Sequence, residues 1–270
     1  MKRFQLWCGV ALVAAVVLAG VVALVWTPFD PIRVMPGEKL LPPSWPHVLG
    51  TDGMGIDIAS RLLAGAQQCL MVGIVSVGIA VVVGVPLGMV SGQLGGWLDE
   101  AVMRLVDVAY AFPALLLAIL FAAAVGGSTA TAMAAIGVAT IPAFARVARA
   151  GTKQVMASDF VLAARASGTS RWGIAVRHVA PNIAPLVGVQ ASVGFAMAIL
   201  AEAALSYLGL GAQRQTPTWG AMLRDAQGFL FVTPNLAVWP GLAIALAVLG
   251  FNLLGDGLRD LLDPRLREAA

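Results

Sequence analysis

Few side chains in this sequence have the type and spacing for chemistry. The two cysteines, Cys8 and Cys69, both sit in apolar runs, so they outline neither a disulfide framework nor a Cys/His metal cluster. His47 and His178 are far apart in the chain. No Ser/His/Asp, Cys/His or paired-carboxylate set stands out, and no G-x-x-x-x-G-K-[ST] phosphate loop occurs; "GTK" at Gly151–Lys153 lacks the spacing. The expectation is a chain with no catalytic residues, no metal ligands and no ATP hydrolysis of its own. Glu202 is the one acid well inside an apolar run. A carboxyl group exposed to hydrocarbon costs several kcal/mol. Glu202 therefore either faces a path for a polar solute or takes a structural hydrogen bond, and the residues leave both open.

Polar chemistry is concentrated instead in "DFVLAARASGTSRWGIAVRHVAPN", Asp159 to Asn182. Ser158 is a candidate N-cap, and Asp159 in the first turn suits the helix dipole. A short helix is predicted over Phe160–Ser167, with Gly168 as the residue just past its end. Ser170 can cap a second helix, Arg171–Val179, with Trp172, Val176 and Val179 on one face and Pro181 ending it. Ala163, Ala164 and Ser167 make a face of small side chains, which allows another backbone to come close. Helices this short do not hold together in isolation, so the pair must pack on lipid phosphates or on a cytoplasmic partner.

The elements that must position this pair are membrane spans. Of the 270 residues 59% are hydrophobic and 11% charged, too little charge to cover a soluble domain. A span needs about 20 apolar residues. Charge-free runs place spans near Leu6–Trp26, Cys69–Val90, Leu105–Val125, Ala130–Arg146, Ile183–Leu205 and Leu236–Gly255, with "GGST" at Gly126–Thr129 as the turn between the third and fourth. The first run is too long for a cleaved signal peptide and has no clear A-x-A site. The fold class is all-α integral membrane, with six transmembrane helices.

Lysine and arginine counts set the orientation. With the first segment inside, the inner segments hold Lys2, Arg3, Arg104, Arg146, Arg149, Lys153, Arg165, Arg171, Arg177, Arg259, Arg265 and Arg267; the outer loops hold Arg33, Lys39, Arg61, Arg214 and Arg224. Both termini are therefore expected in the cytoplasm, beside Asp159–Asn182. The net charge of +3 reflects this topology and does not indicate nucleic-acid binding. Gly84, Gly88 and Gly92 form a small-xxx-small face for close helix packing. Pro86 and Pro113 are expected to kink their helices. Asp107 is expected to snorkel to water. Trp26, Trp45, Trp97, Trp219 and Trp239 are expected at the membrane interfaces, and His47 in a loop contact.

"AARASG", Ala163–Gly168, followed by nine residues and "HVAP", resembles the EAA loop of ABC importer permeases, with Gly168 and Pro181 at the family spacing. Leu162 stands where that family has glutamate, His178 where it has isoleucine, and Ala180 where it has leucine. "LGTDGMGIDIASRL" (49–62), "AEAALSYLGLG" (201–211), "TPTWGAML" (216–223) and "FNLLGDGLRDLLDP" (251–264) are similar to the peptide/nickel branch and to its C-type subunit. The resemblance implies an ABC type I importer permease fold in the bacterial inner membrane. It divides the chain into 1–68, a transmembrane helix and periplasmic loop, and 69–270, a core of five transmembrane helices. That core carries a cytoplasmic coupling loop at 149–182 and a periplasmic loop at 206–235.

The resemblance also implies partners: a B-type permease, two ATPase subunits that bind ATP and Mg, and a periplasmic or lipid-anchored substrate-binding protein. Ala163, Ala164, Arg165, Gly168 and Pro181 would then belong to the ATPase-coupling loop. The implied solute is a short peptide, with nickel or a metal chelate as the alternative. A secondary transporter would carry more intramembrane charge and would leave the cytoplasmic helix pair unexplained. An intramembrane enzyme would need a nucleophile or metal set.

Overall fold

The computed structural model describes residues 2–211 and 216–262. Arg214, Arg265, Arg267 and Pro264 lie outside them, as do the side chains of Lys2 and Arg3. The described chain is helical: α1 (Lys2–Val25), α2 (Ile58–Leu94), α3 (Gly96–Ala111), α4 (Ala114–Val125), α5 (Thr129–Met156), α6 (Asp159–Ala166), α7 (Arg171–Ile174), a π-helical turn at Ala175–Val179, α8 (Ala180–Tyr207), α9 (Trp219–Ala226) and α10 (Asn235–Leu262). Among the described residues, the β-pairing is a single bridge between Thr51 and Asp57.

Five helical stretches are long and apolar enough to cross a membrane, and α3 with α4 makes a sixth if the bent pair is one span. The third span, expected near Leu105–Val125 with a kink at Pro113, is broken there into two helices. Phe112 is extended and Pro113 precedes the first turn of α4, so the two halves meet at 82°. Proline has no N–H to continue the ladder and its ring disfavours helix in the residue before it. Pro86, by contrast, lies inside an unbroken α2.

At about 1.5 Å per residue, the 37 residues of α2 outrun the hydrocarbon core. The helix starts at Ile58, well before the expected Cys69, and residue 68 is mid-helix. Its first turn is fixed by Asp57, whose carboxylate accepts from the Ser60 backbone N–H at 2.8 Å and the Ser60 hydroxyl at 2.7 Å. α5 starts in a capping box: the Ser128 hydroxyl accepts from Thr131 N–H, and the Thr131 hydroxyl accepts from Ser128 N–H. Gly126, φ 98°, makes the tight turn before it.

α2 and α5 form the close pair at the centre. A methyl group at Gly84 would lie 2.7 Å from the Ile141 carbonyl oxygen, and one at Gly92 would lie 2.8 Å from Thr152 Cβ; at Gly88 the Ala145 carbonyl leaves no room at all. Three glycines one turn apart thus let the α5 backbone lie on α2. The main core gathers α1, α2, α8, α9 and α10 around Ile199, Trp219, Met222, Ala247 and Phe251, with Phe195 stacked on Phe251 at 4.8 Å between centroids.

Candidate functional site

The cytoplasmic helix pair is held by one small apolar cluster. Val161 of α6, Ile174 of α7, Val179 of the π turn and Ile183 of α8 are buried together with Ala148 of α5. Val161 is the one residue of α6 in that core. The other side of α6 faces outward: Phe160 and Leu162 are about half exposed, and Ala163, Arg165, Ala166 and Ser167 are exposed. Leu162 therefore stands at the surface, where a charged residue would find no partner within this chain's core.

Gly168 stops α6 by its backbone. Its φ is +79°, its N–H donates to the Arg165 carbonyl at 2.9 Å, and Thr169 N–H donates to the Ala164 carbonyl at 3.0 Å. This is the Schellman arrangement, which needs a left-handed residue after the helix. Nothing lies within 4 Å of a methyl built there, so glycine is required by conformation and not by space. Ser170 then caps α7, accepting from Gly173 N–H at 3.1 Å. Ser158 sits at the N-cap position of α6, but its hydroxyl turns back and donates to the Val155 carbonyl at 2.5 Å.

Two details correct the expected second helix. It does not end at Pro181. The chain runs on helically from Arg171 to Tyr207, through a turn whose last i→i+5 bond is Ala180 N–H to the Ala175 carbonyl. That bond falls just before the residue with no N–H, and the wider turn takes up the space that the proline ring needs. The second short helix is thus the inner end of the fifth span. The extra residue of the π turn also rotates the helix beyond it. Val179 turns inward beside Ile174, while Trp172 is 78% exposed and Val176 about half exposed, so the three do not share a face. Phe160 packs on His178 at 6.0 Å between centroids, linking α6 to the turn.

A second inner cluster escaped sequence reasoning. Asp99, buried in the first turn of α3, accepts Arg149 Nε at 2.5 Å and Nη2 at 2.6 Å, Lys153 Nζ at 2.7 Å, and the Ser91 hydroxyl. Arg146 donates to Asp107 at 2.7 Å and lies 4.2 Å over the Tyr110 ring. Asp107 is therefore paired and does not simply snorkel to water. The signal was the spacing Arg146, Arg149, Lys153, one face of a helix, which on its own marks only inner-side charge.

At the outer end, His47 is buried with Nδ1 2.9 Å from Asp57 Oδ1 and Nε2 3.1 Å from Glu38 Oε2. Arg61 donates to Asp52 at 2.5 Å and to Asp225 at 2.9 Å. Glu202 is buried and accepts from Ser206 Oγ at 2.6 Å. Trp219 is buried in the core and donates to the Leu62 carbonyl at 3.0 Å. It is not an interface anchor, because Thr218 caps α9 and turns that helix inward over α2 and α8. Trp26, Trp45 and Trp97 are exposed.

Residues 84–268 match the family described as "Binding-protein-dependent transport system inner membrane component". The chain belongs to that family. It is 44% identical over 225 residues to the glutathione transport system permease protein of Pectobacterium atrosepticum, covering 83% of this chain and 75% of the relative. It is 40% identical over 260 residues to the dipeptide transport system permease protein of Alkalihalophilus pseudofirmus, covering 96% and 85%. It is also 40% identical over 256 residues to a probable D,D-dipeptide transport system permease protein of Escherichia coli, covering 93% and 86%. The chain is thus an inner-membrane permease component of an ABC importer and not an enzyme, with the all-helical type I importer architecture. Membership implies ATPase and substrate-binding partners.

Proposed function

We propose that this permease forms, with a second homologous permease, the pathway for uptake of short peptides. Two separate ATPase subunits would bind ATP and Mg, and a periplasmic or lipid-anchored binding protein would deliver the solute. The peptide reading draws on relatives named for dipeptide and glutathione transport. One observation carries the coupling site: an α6 that buries only Val161, touches the π turn through Phe160, and is ended by the Gly168 backbone, with its apolar and small-residue face exposed. A face of Phe160, Leu162, Ala163 and Ala166 costs free energy in water, and an ATPase cleft would cover it. Ala164 and Arg165 join that surface at the last turn of α6, while Pro181 marks where the coupling element becomes the fifth span.

Mechanically, α7, the π turn and α8 are one continuous body. A displacement of the docked end would be transmitted along the fifth span and, through Ile183 and Ala148, to α5. Gly84, Gly88 and Gly92 would carry it to α2 by backbone contact. Glu202, bonded to Ser206 within this chain, supports a bracing role at the outer end of the span more than direct contact with solute. The test is ATP-dependent uptake of dialanine by the reconstituted complex, with and without its binding protein. Uptake that needs neither ATP nor ATPase subunits would refute the coupling; ATP-driven uptake of a metal chelate but of no peptide would refute the solute.

A further inference from the structure

The outer face holds a cavity of about 860 Å³ whose wall includes Ile32, Val34 and Leu208 and whose charged groups, among the described residues, are Arg61, Arg224 and Asp225. Ligand pockets commonly span about 300–1,000 Å³, so this one has room for a small peptide. Arg61 is already committed: its side chain is 7% exposed and held between Asp52 and Asp225. Arg224 is different. Its nearest acceptors are the Ser206 carbonyl at 3.4 Å and Asp225 Oδ1 at 3.8 Å, and its side chain is 31% exposed. It leans over Gly209, where even a methyl group would come within 3.1 Å of Nη1.

Arg61 is thus shared between two acids, and Arg224, the more exposed of the two cations and held only by long contacts, is the less committed one lining this recessed space of mixed polar and apolar character. A guanidinium fork matches a carboxylate in two parallel hydrogen bonds. Every peptide ends in one carboxylate whatever its side chains, so a single such contact would serve a range of sequences. We propose that Arg224 is a transit contact for the terminal carboxylate of the solute in the outer cavity. This rests on the peptide reading above. The contact also connects to the span, because Ser206, whose carbonyl faces Arg224, gives its hydroxyl to Glu202.

The test uses the complete transporter in proteoliposomes with radiolabelled dialanine, comparing wild type, Arg224→Gln and Arg224→Lys. Assembly is checked by co-purification of all subunits. Arg224→Gln should lower the maximal uptake rate about tenfold, the scale of one charge-assisted hydrogen bond, and Arg224→Lys should lose less. The concentration of liganded binding protein giving half-maximal uptake should not change. Wild-type uptake in Arg224→Gln would overturn the proposal. So would a raised half-maximal concentration with an intact maximal rate, which would assign Arg224 to docking of the binding protein. A wild-type complex that hydrolyses ATP on addition of the binding protein yet moves no peptide would overturn the peptide reading itself.

Discussion

The two ends of this permease solve opposite problems. At the outer end, loop 27–57, the start of α2 and α9 close on one another through buried polar pairs: His47 with Asp57 and Glu38, Arg61 with Asp52 and Asp225, Trp219 with the Leu62 carbonyl. Each group finds its partner inside the chain. At the inner end, α6 inserts one valine and leaves Phe160, Leu162, Trp172 and Val176 in the open. Buried polar pairs fix one arrangement, because any other leaves a charge or N–H unsatisfied. A short helix held by one buried valine and a half-exposed Phe160–His178 contact has less constraint and gains stability from whatever covers it. The outer pairs are completed within the chain, although Trp45, Phe231 and Val232 are exposed at that end too, whereas α6 leaves most of its own surface uncovered.

Arg61→Ala is the severest test of the outer half. It leaves Asp52 without its cation and Asp225 with only the more distant Arg224, and losing one partner of a buried pair costs about 3–5 kcal/mol. Asp225 is one-third exposed, which places the expected loss at the low end. Thermal unfolding of the purified permease should show a clear drop in Tm, and neutralising both acids (Asp52→Asn with Asp225→Asn) in the same background should restore part of it. An unchanged Tm would mean that the outer end is not held by this pairing.

Asp99→Asn asks whether the inner end has a finished part too. Asp99 ties α3 to α5 and α2 through Arg149, Lys153 and Ser91, but both cations are partly exposed and can turn to water. The expected cost is about 1–2 kcal/mol, in the range of charge-assisted hydrogen bonds. It should appear as faster proteolytic cleavage between α2 and α3, with the outer loop unaffected. Equal cleavage in the variant and wild type would leave α3 held by its apolar contacts alone.

The contrast between the ends also explains what the sequence disclosed. The inner element was legible because its signals are local: Ser170 three residues before the N–H it caps, and Gly168 at the left-handed position after α6. The spans were legible from charge-free runs. The outer networks were not, since Arg61 and Asp225 are 164 residues apart and neither carries a local mark of its partner. Trp219 departs from its expected place for the same reason: its burial depends on α9 folding back over α2. The prolines show the limit of local rules. Pro113 breaks its span, Pro86 lies within an unbroken helix, and Pro181 is passed by a π turn. Which outcome occurs depends on whether the preceding turn can widen or the neighbours can accept a bend.

Gly168→Val separates folding from coupling. Valine in a left-handed conformation costs roughly 1–2 kcal/mol, and there is open space around the site, so nothing else is displaced. The strain falls on the end of α6 alone. Membrane insertion and Tm of the outer half should stay close to wild type, while binding-protein-stimulated ATP hydrolysis by the assembled complex falls. Undiminished stimulation would place the docking surface elsewhere.

Trp172→Ser should have the smallest effect on the isolated chain and is therefore the sharpest probe of an unfinished inner end. Trp172 is 78% exposed, and substitutions at such positions usually change stability by no more than about 0.5 kcal/mol. A tryptophan that packs nothing in its own chain but anchors an interface behaves in the opposite way when that interface forms, because truncating such an anchor typically costs about 2 kcal/mol or more of binding. The variant should fold as wild type and bind the purified ATPase subunits at least about tenfold more weakly, measured by titration of the detergent-solubilised permease. Equal affinity would confine docking to α6. A lowered Tm in the isolated permease would show instead that Trp172 serves this chain's own packing, and the distinction between its two ends would be smaller than the exposed surface implies.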